Sequence, residues 1–225
     1  MARRPAGGVL LGRTPIKRLA FLGLGALALF TALEHEPPLL NPANPEWAHI
    51  APFRGWLAAH IVVAAIALIT GPFQFSSTLR RRSMGLHRWL GRVYVCSTLI
   101  ASALAFYIGV AFELPANRWL MGSMAGLWFL ATAWAWIAIR RRAVDQHRLW
   151  ITRSYFLTYT FVTTRFIPDL MLPHMGYAGV TALYWVLIVF SLIAPDFLVS
   201  RLPNRPRKAA AQPADRLHGS PPARG

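Results

Sequence analysis

The side chains here whose types and places allow chemistry are three histidines and a set of arginines. Residues 79–88 read LRRRSMGLHR and residues 139–148 read IRRRAVDQHR, so an arginine triplet and a His-Arg pair recur at the same internal spacing, 60 residues apart. Arg92 and Tyr94 are echoed by Arg153 and Tyr155 after a one-residue slip. Two imidazoles at equal depth on facing helices are what a haem b iron needs as axial ligands, which makes His87 and His147 a candidate pair with arginines to neutralise propionates. The same arginines (Arg80, Arg81, Arg82, Arg88, Arg140, Arg141, Arg142 and Arg148) equally suit lipid phosphates at an inner membrane face. In that reading the two histidines simply join them. His60 and Arg165 form a second candidate set, a polar pocket at the opposite end with Glu113 or Asp169 as counter-ion. Ionisable groups inside a bilayer are expensive, roughly 2.5–3.5 kcal/mol at mid-depth. A helix-packing hydrogen bond for His60 and snorkelling for Arg165 are the plainer alternatives. One cysteine, and no Cys/His set with zinc spacing, leave haem iron as the one metal to consider. No Ser-His-Asp set is evident, so the reading leans away from an enzyme.

These residues must be positioned by membrane helices. Of 225 residues, 55% are apolar and only 14% charged, while Lys+Arg is 24 against Asp+Glu 8. Soluble domains carry about 25% charged residues. Mean hydropathy is +0.39. Roughly 20 apolar residues cross a bilayer, and five stretches meet or approach that: Trp56 to Leu79, Val93 to Phe112, Trp119 to Ile139, Leu149 to Ile167 and Ala178 to Ala194. Leu19 to Leu33 is shorter and follows Arg13, Lys17 and Arg18; a signal peptide cleaved near Ala26-Leu27-Ala28 is the alternative to a retained helix. With six spans and both termini cytoplasmic, 21 of the 24 Lys and Arg fall in inner segments, leaving Arg54, Arg118 and Arg165 outside. That asymmetry follows the positive-inside rule, so the basic balance reports topology and needs no nucleic-acid partner. The expectation is an all-α, multi-pass helix bundle in the cell membrane (a bacterial inner membrane), with membrane lipids and their anionic headgroups as partners. A basic tail over 1–18, a membrane domain over 19–200 and a disordered Pro-rich tail over 201–225 complete the organisation. Five prolines between Glu34 and Gly55 argue against regular helix there.

Each recurring motif is the inner turn of a helical hairpin, and two such hairpins make a parallel internal repeat. Helical spacing of about 100° per residue puts His147, Ser154, Thr158 and Arg165 on one line of the fifth span and Arg153, Thr160 and Thr164 on another. A helix with two polar stripes is not turned to lipid, so the fifth span should be central. His87, Gly91, Tyr94, Thr98, Ala101 and Ala105 align in the third span. In the second, His60, Ala64, Ala67, Gly71 and Thr78 do so, small residues that let backbones approach.

Gly71-Pro72-Phe73-Gln74-Phe75 and Leu86-His87-Arg88-Trp89-Leu90-Gly91-Arg92-Val93-Tyr94 resemble the signature of predicted bacterial membrane proteins grouped as domain of unknown function 2306. A second block resembles it over His147-Arg148 to Trp150, Arg153-Ser154-Tyr155, Arg165 and Pro168, and His60 stands at that pattern's first histidine. The likeness covers about 55–170, with the first and last spans outside it. It implies a fold and candidate positions, and no activity. With the helical stripes it yields a candidate polar core or ligand site of His60, Gln74, Arg92, Arg153, Thr158 and Arg165. Three functions remain open: a non-enzymatic protein whose polar core binds a lipid headgroup, quinone or small anion or assists a membrane partner; a b-type cytochrome using His87 and His147; and a small transporter. The first asks least of the sequence.

Overall fold

The computed structural model describes residues 47–113 and 115–200, with the isolated positions Gly23, Gly25 and Ala43. The expectations placed on the 1–18 tail, on Leu19 to Leu33 beyond helical Gly23 and Gly25, and on the 201–225 tail lie outside the described residues. Among the described residues there is helix and no strand. The elements are α1 (Trp47–Ile50), α2 (Arg54–Gln74), α3 (Ser77–Arg82), α4 (Met84–Ala111), α5 (Pro115–Arg140) and α6 (Val144–Ser200). Gly176 divides α6 into two arms, 144–175 and 177–200, with φ 65° and ψ −179°. That backbone region is open to glycine because it lacks a Cβ. The arms fold back on each other. Ser191 and Thr160 share a hydrogen bond of 2.8 Å, and Tyr184 donates to the Thr164 carbonyl at 3.1 Å.

Among the described residues four helices are long and apolar enough to cross a membrane: Arg54–Gln74, Met84–Ala111, Asn117–Arg140 and Leu170–Val199. Their outward faces carry exposed Ile69, Leu130 and Val186, as expected of helices that are apolar all round. The stretch from Leu149 to Ile167 is helical but is not among those four.

Several boundaries differ from expectation. The second span was expected to run to Leu79, yet α2 stops at Gln74 and a separate α3 follows. Ser76 adopts an extended conformation and its hydroxyl accepts from the Leu79 backbone N–H at 3.1 Å, so a serine cap starts a new helix. Thr78 therefore lies on α3, away from the face of His60. Within the proline-rich loop, Trp47–Ile50 forms one helical turn. Helix α5 begins at Pro115, ahead of Trp119, because proline's fixed φ suits a first helical position. The helix expected to end at Ile167 continues past Pro168 and Pro173 to the Gly176 break.

The 144–175 arm is central, as its two polar stripes required. It meets α2 through Tyr155, whose hydroxyl donates to the Leu68 carbonyl at 3.4 Å. Gly71 sits flat on the same ring, where any Cβ would collide with Tyr155. The arm meets α4 through Tyr94, α5 through Trp128 and Thr132, and the 177–200 arm through Thr160. Ser154 and Leu157 are fully buried by this surround. Successive helices run antiparallel: Gly109 packs on Met121 and Gly122 between α4 and α5, and His147 lies by Ala135 between α5 and α6. Both arginine-rich turns therefore share one end of the bundle.

Candidate functional site

Two polar regions occupy the bundle, and they differ in how completely they satisfy themselves. The first is a seam in its middle, where Thr132 donates to the Trp128 carbonyl at 2.8 Å, so its hydroxyl accepts from Ser154 at 2.7 Å. Ser154 in turn accepts from Tyr94 at 2.8 Å. Thr158 donates to the Ser154 carbonyl at 3.0 Å and accepts from Trp128 Nε1 at 3.1 Å. The hydroxyl donations thus run in a fixed order from α4 through α6 to α5. The exception is Thr98, whose hydroxyl is buried without a hydrogen-bond partner. Such bonds between membrane helices contribute about 0.6 kcal/mol each on average. Of the candidate residues, Thr158 belongs here, as a link between helices.

The second region lies at the arginine end. Arg80, on α3, is half-buried and reaches back to donate to the Gln74 carbonyl at 2.9 Å. Burial, and then the charges of Arg148 and Arg81, lower its pKa from the usual guanidinium value. His87 feels the charges of Arg80, His147 and Arg88. Arg80 and His87 thus lie among cationic side chains of both arginine-rich segments. His147 Nδ1–H donates to the Ala135 carbonyl at 2.9 Å, which leaves its Nε2 as the acceptor nitrogen. His87 Nδ1 and Gln74 Nε2 are buried with no hydrogen-bond partner. The structure therefore brings together Gln74, Arg80, His87, His147 and Arg148, from both arginine-rich segments. It leaves Arg81, Arg82, Arg88, Arg92, Arg140, Arg141 and Arg142 exposed at the same end.

Arg153 has another place. It donates to the Leu192 carbonyl at 2.9 Å, pairs with Asp196 at 2.7 Å and stacks on the Trp150 ring at 4.4 Å. It clasps the two arms of α6. Sequence reasoning missed this partner, although Asp196 at the end of the last span was the available signal. His60 is buried and donates from Nδ1 to the Ala101 carbonyl at 2.9 Å, a bond between α2 and α4. Arg165 lies on the helical arm 144–175, but its side chain and that of Asp169 lie outside the described ones, and with them the pocket expected beside His60. Among the described residues no three His, Cys, Asp or Glu side chains cluster to hold a metal ion.

A family of predicted membrane proteins, DUF2306, matches residues 57–202. The chain belongs to that family. In this DUF2306 protein the match runs past residue 170, where the resemblance was expected to stop, and takes in the 177–200 arm. The contacts of Arg153 and Thr160 with that arm give the reason, since the central helix is not enclosed without it. No curated protein and no solved structure matches the chain.

Proposed function

We propose that this DUF2306 protein is a six-span protein of the cell membrane, with both termini cytoplasmic and two duplicated hairpins. In this reading the side chains gathered at its arginine end bind a phosphate-bearing anion, in the first place a lipid headgroup, without chemistry. Gathering 21 of the 24 basic residues on one side supports the orientation. Support for duplication is that Tyr94 and Ser154, one repeat length apart, bond each other, and that His87 and His147 stand within each other's field.

The observation that carries the anion reading is Arg80. A half-buried guanidinium beside the charges of Arg148 and Arg81 has the Gln74 carbonyl as its partner and no carboxylate in a salt bridge with it among the described residues. Buried charge is costly unless paired, and a phosphate oxygen on Arg80 and Arg148 supplies the pair. Native mass spectrometry of the purified protein should show retained anionic phospholipid, lost when Arg80→Gln and Arg148→Gln are combined. A wild-type protein carrying anionic and zwitterionic lipids in the proportions of the membrane would overturn the reading.

The arrangement of His147 favours haem as a second reading, because ligating histidines commonly donate their other N–H to a backbone carbonyl. A Soret band in the same sample that disappears in His147→Ala would replace the lipid with haem. Transport has no comparable support, since the non-helical residue inside the described helices, Gly176, lies at the turn between two arms.

A further inference from the structure

Gln74 ends α2 with 7% exposure, and its Nε2 lacks any hydrogen-bond partner. The amide enters between α2 and α4 because residue 91 is glycine: a Cβ there would stand 3.0 Å from Gln74 Oε1. Gly91 follows His87 by one helical turn, about 6 Å along the axis, so the second orphaned atom, His87 Nδ1, lies on the same face. Leaving such a group buried and unpaired costs about 1–3 kcal/mol. Elsewhere the bundle pairs most of its buried hydroxyls, as the Tyr94–Ser154–Thr132 seam shows. Among the described residues nothing pairs these two atoms at the arginine end, and both call for a partner.

We propose that this part of the arginine end takes the hydroxyl-bearing part of a phosphoglycerol group, with phosphate on Arg80 and Arg148 and glycerol hydroxyls on Gln74 Nε2 and His87 Nδ1. The proposal rests on the anion reading above and adds the headgroup class. A hydroxyl both donates and accepts, so it satisfies the amide N–H and pairs with the imidazole in either tautomer. A headgroup ending in an ammonium meets Arg80, Arg88 and Arg148 and is repelled. A bare phosphate monoester leaves Gln74 and His87 unpaired. A lipid and a soluble ester both carry such a group, and its chemistry is the same in both.

Full-length protein in nanodiscs holding equal parts phosphatidylglycerol, phosphatidic acid and phosphatidylethanolamine tests this, with bound lipid read by native mass spectrometry. The wild type should favour phosphatidylglycerol over phosphatidic acid by roughly five- to tenfold, the yield of one or two added hydrogen bonds. Gln74→Leu should remove that preference while phosphatidic acid retention stays constant, which also reports an intact anion site. Should Gln74→Leu fail to fold, Gly91→Ala pushes the amide aside and should weaken the same preference. Equal retention of the two anionic lipids by wild type, or a preference unchanged in both variants, overturns the phosphoglycerol assignment and leaves the anion site standing. Indifference between anionic and zwitterionic lipid would sink the anion site itself. Excess free glycerol 3-phosphate that displaces the lipid upholds the chemistry and gives it to a soluble ester; no displacement gives it to the membrane.

Discussion

In the first arginine-rich tip the chain leaves α2 at Gln74, turns through Phe75 and Ser76, forms α3 and enters α4 after Ser83. In the second it stays helical to Arg140 and needs three residues to reach α6. There Ala143 N–H donates to the Ala138 carbonyl at 2.9 Å and Arg142 N–H to that of Ile139 at 3.0 Å. Arg142 sits at φ 58°. This pair of bonds around a left-handed residue is a Schellman closure. The triplets match residue for residue, yet Arg80 is folded under and half-buried while Arg140, Arg141 and Arg142 point to solvent. The difference lies in neighbours. Ser76 caps α3 and Ser83 caps α4 through their hydroxyls, whereas the residues 60 positions on, Trp136 and Ala143, have no hydroxyl to offer. An arginine motif sets which end is basic; the serines beside it decide which arginine turns inward.

Four tests, three of them paired substitutions, sharpen or break that contrast. The largest effect is expected at Gly71, just before the first tip, where a Cβ meets Tyr155. Gly71→Ala should destabilise by about 1–3 kcal/mol through overpacking. At the position 60 residues on, which already holds Ala131, the reverse change Ala131→Gly should cost no more than about 1 kcal/mol. Thermal unfolding in detergent measures both, and equal losses would remove the asymmetry. Next, Arg80→Gln should lower anionic lipid retention about tenfold, the scale of one charge-assisted hydrogen bond. Arg140→Gln should leave retention within twofold; matching losses would make the tips equivalent.

Ser83→Ala should lower stability by about 1 kcal/mol, the usual loss of an N-cap hydroxyl, and Ala143→Ser should gain up to a similar amount. A neutral result at both positions would mean that tertiary contacts, not caps, start these helices. The smallest change is Arg142→Gly. Relief of a left-handed arginine should raise stability by up to about 1 kcal/mol, and a loss instead would give the Arg142 side chain a role its exposure does not suggest.

Much of the architecture could be read in advance from apolar length and polar stripes. Ser154, Thr158 and Thr160 marked the 144–175 arm as central because polar groups in a membrane bundle turn toward other helices. Tyr94, Thr98 and Ala101 marked the buried face of α4 in the same way. The grouping at the arginine end was legible only in outline. His87, His147 and the arginines stood out by recurrence, but Gln74 entered through family resemblance alone. Its importance comes from a missing partner, which no spacing reveals. Arg153 was legible as polar and placed in the core, while its bond to Asp196 waits on a fold-back at Gly176 that apolar periodicity does not describe.

The sequence by itself determined that this chain is helical, apolar enough for a membrane and basic at one end, because those properties are sums over side chains and need no partner to be named. Tertiary structure alone decided which polar atoms find one another. Serine, threonine, tyrosine and tryptophan from three helices close a network in the middle, whereas at the arginine end a glutamine and a histidine are enclosed without a bond. A hydrogen bond forms or fails over a few tenths of an ångström. Helical periodicity fixes a face, and packing fixes the distance.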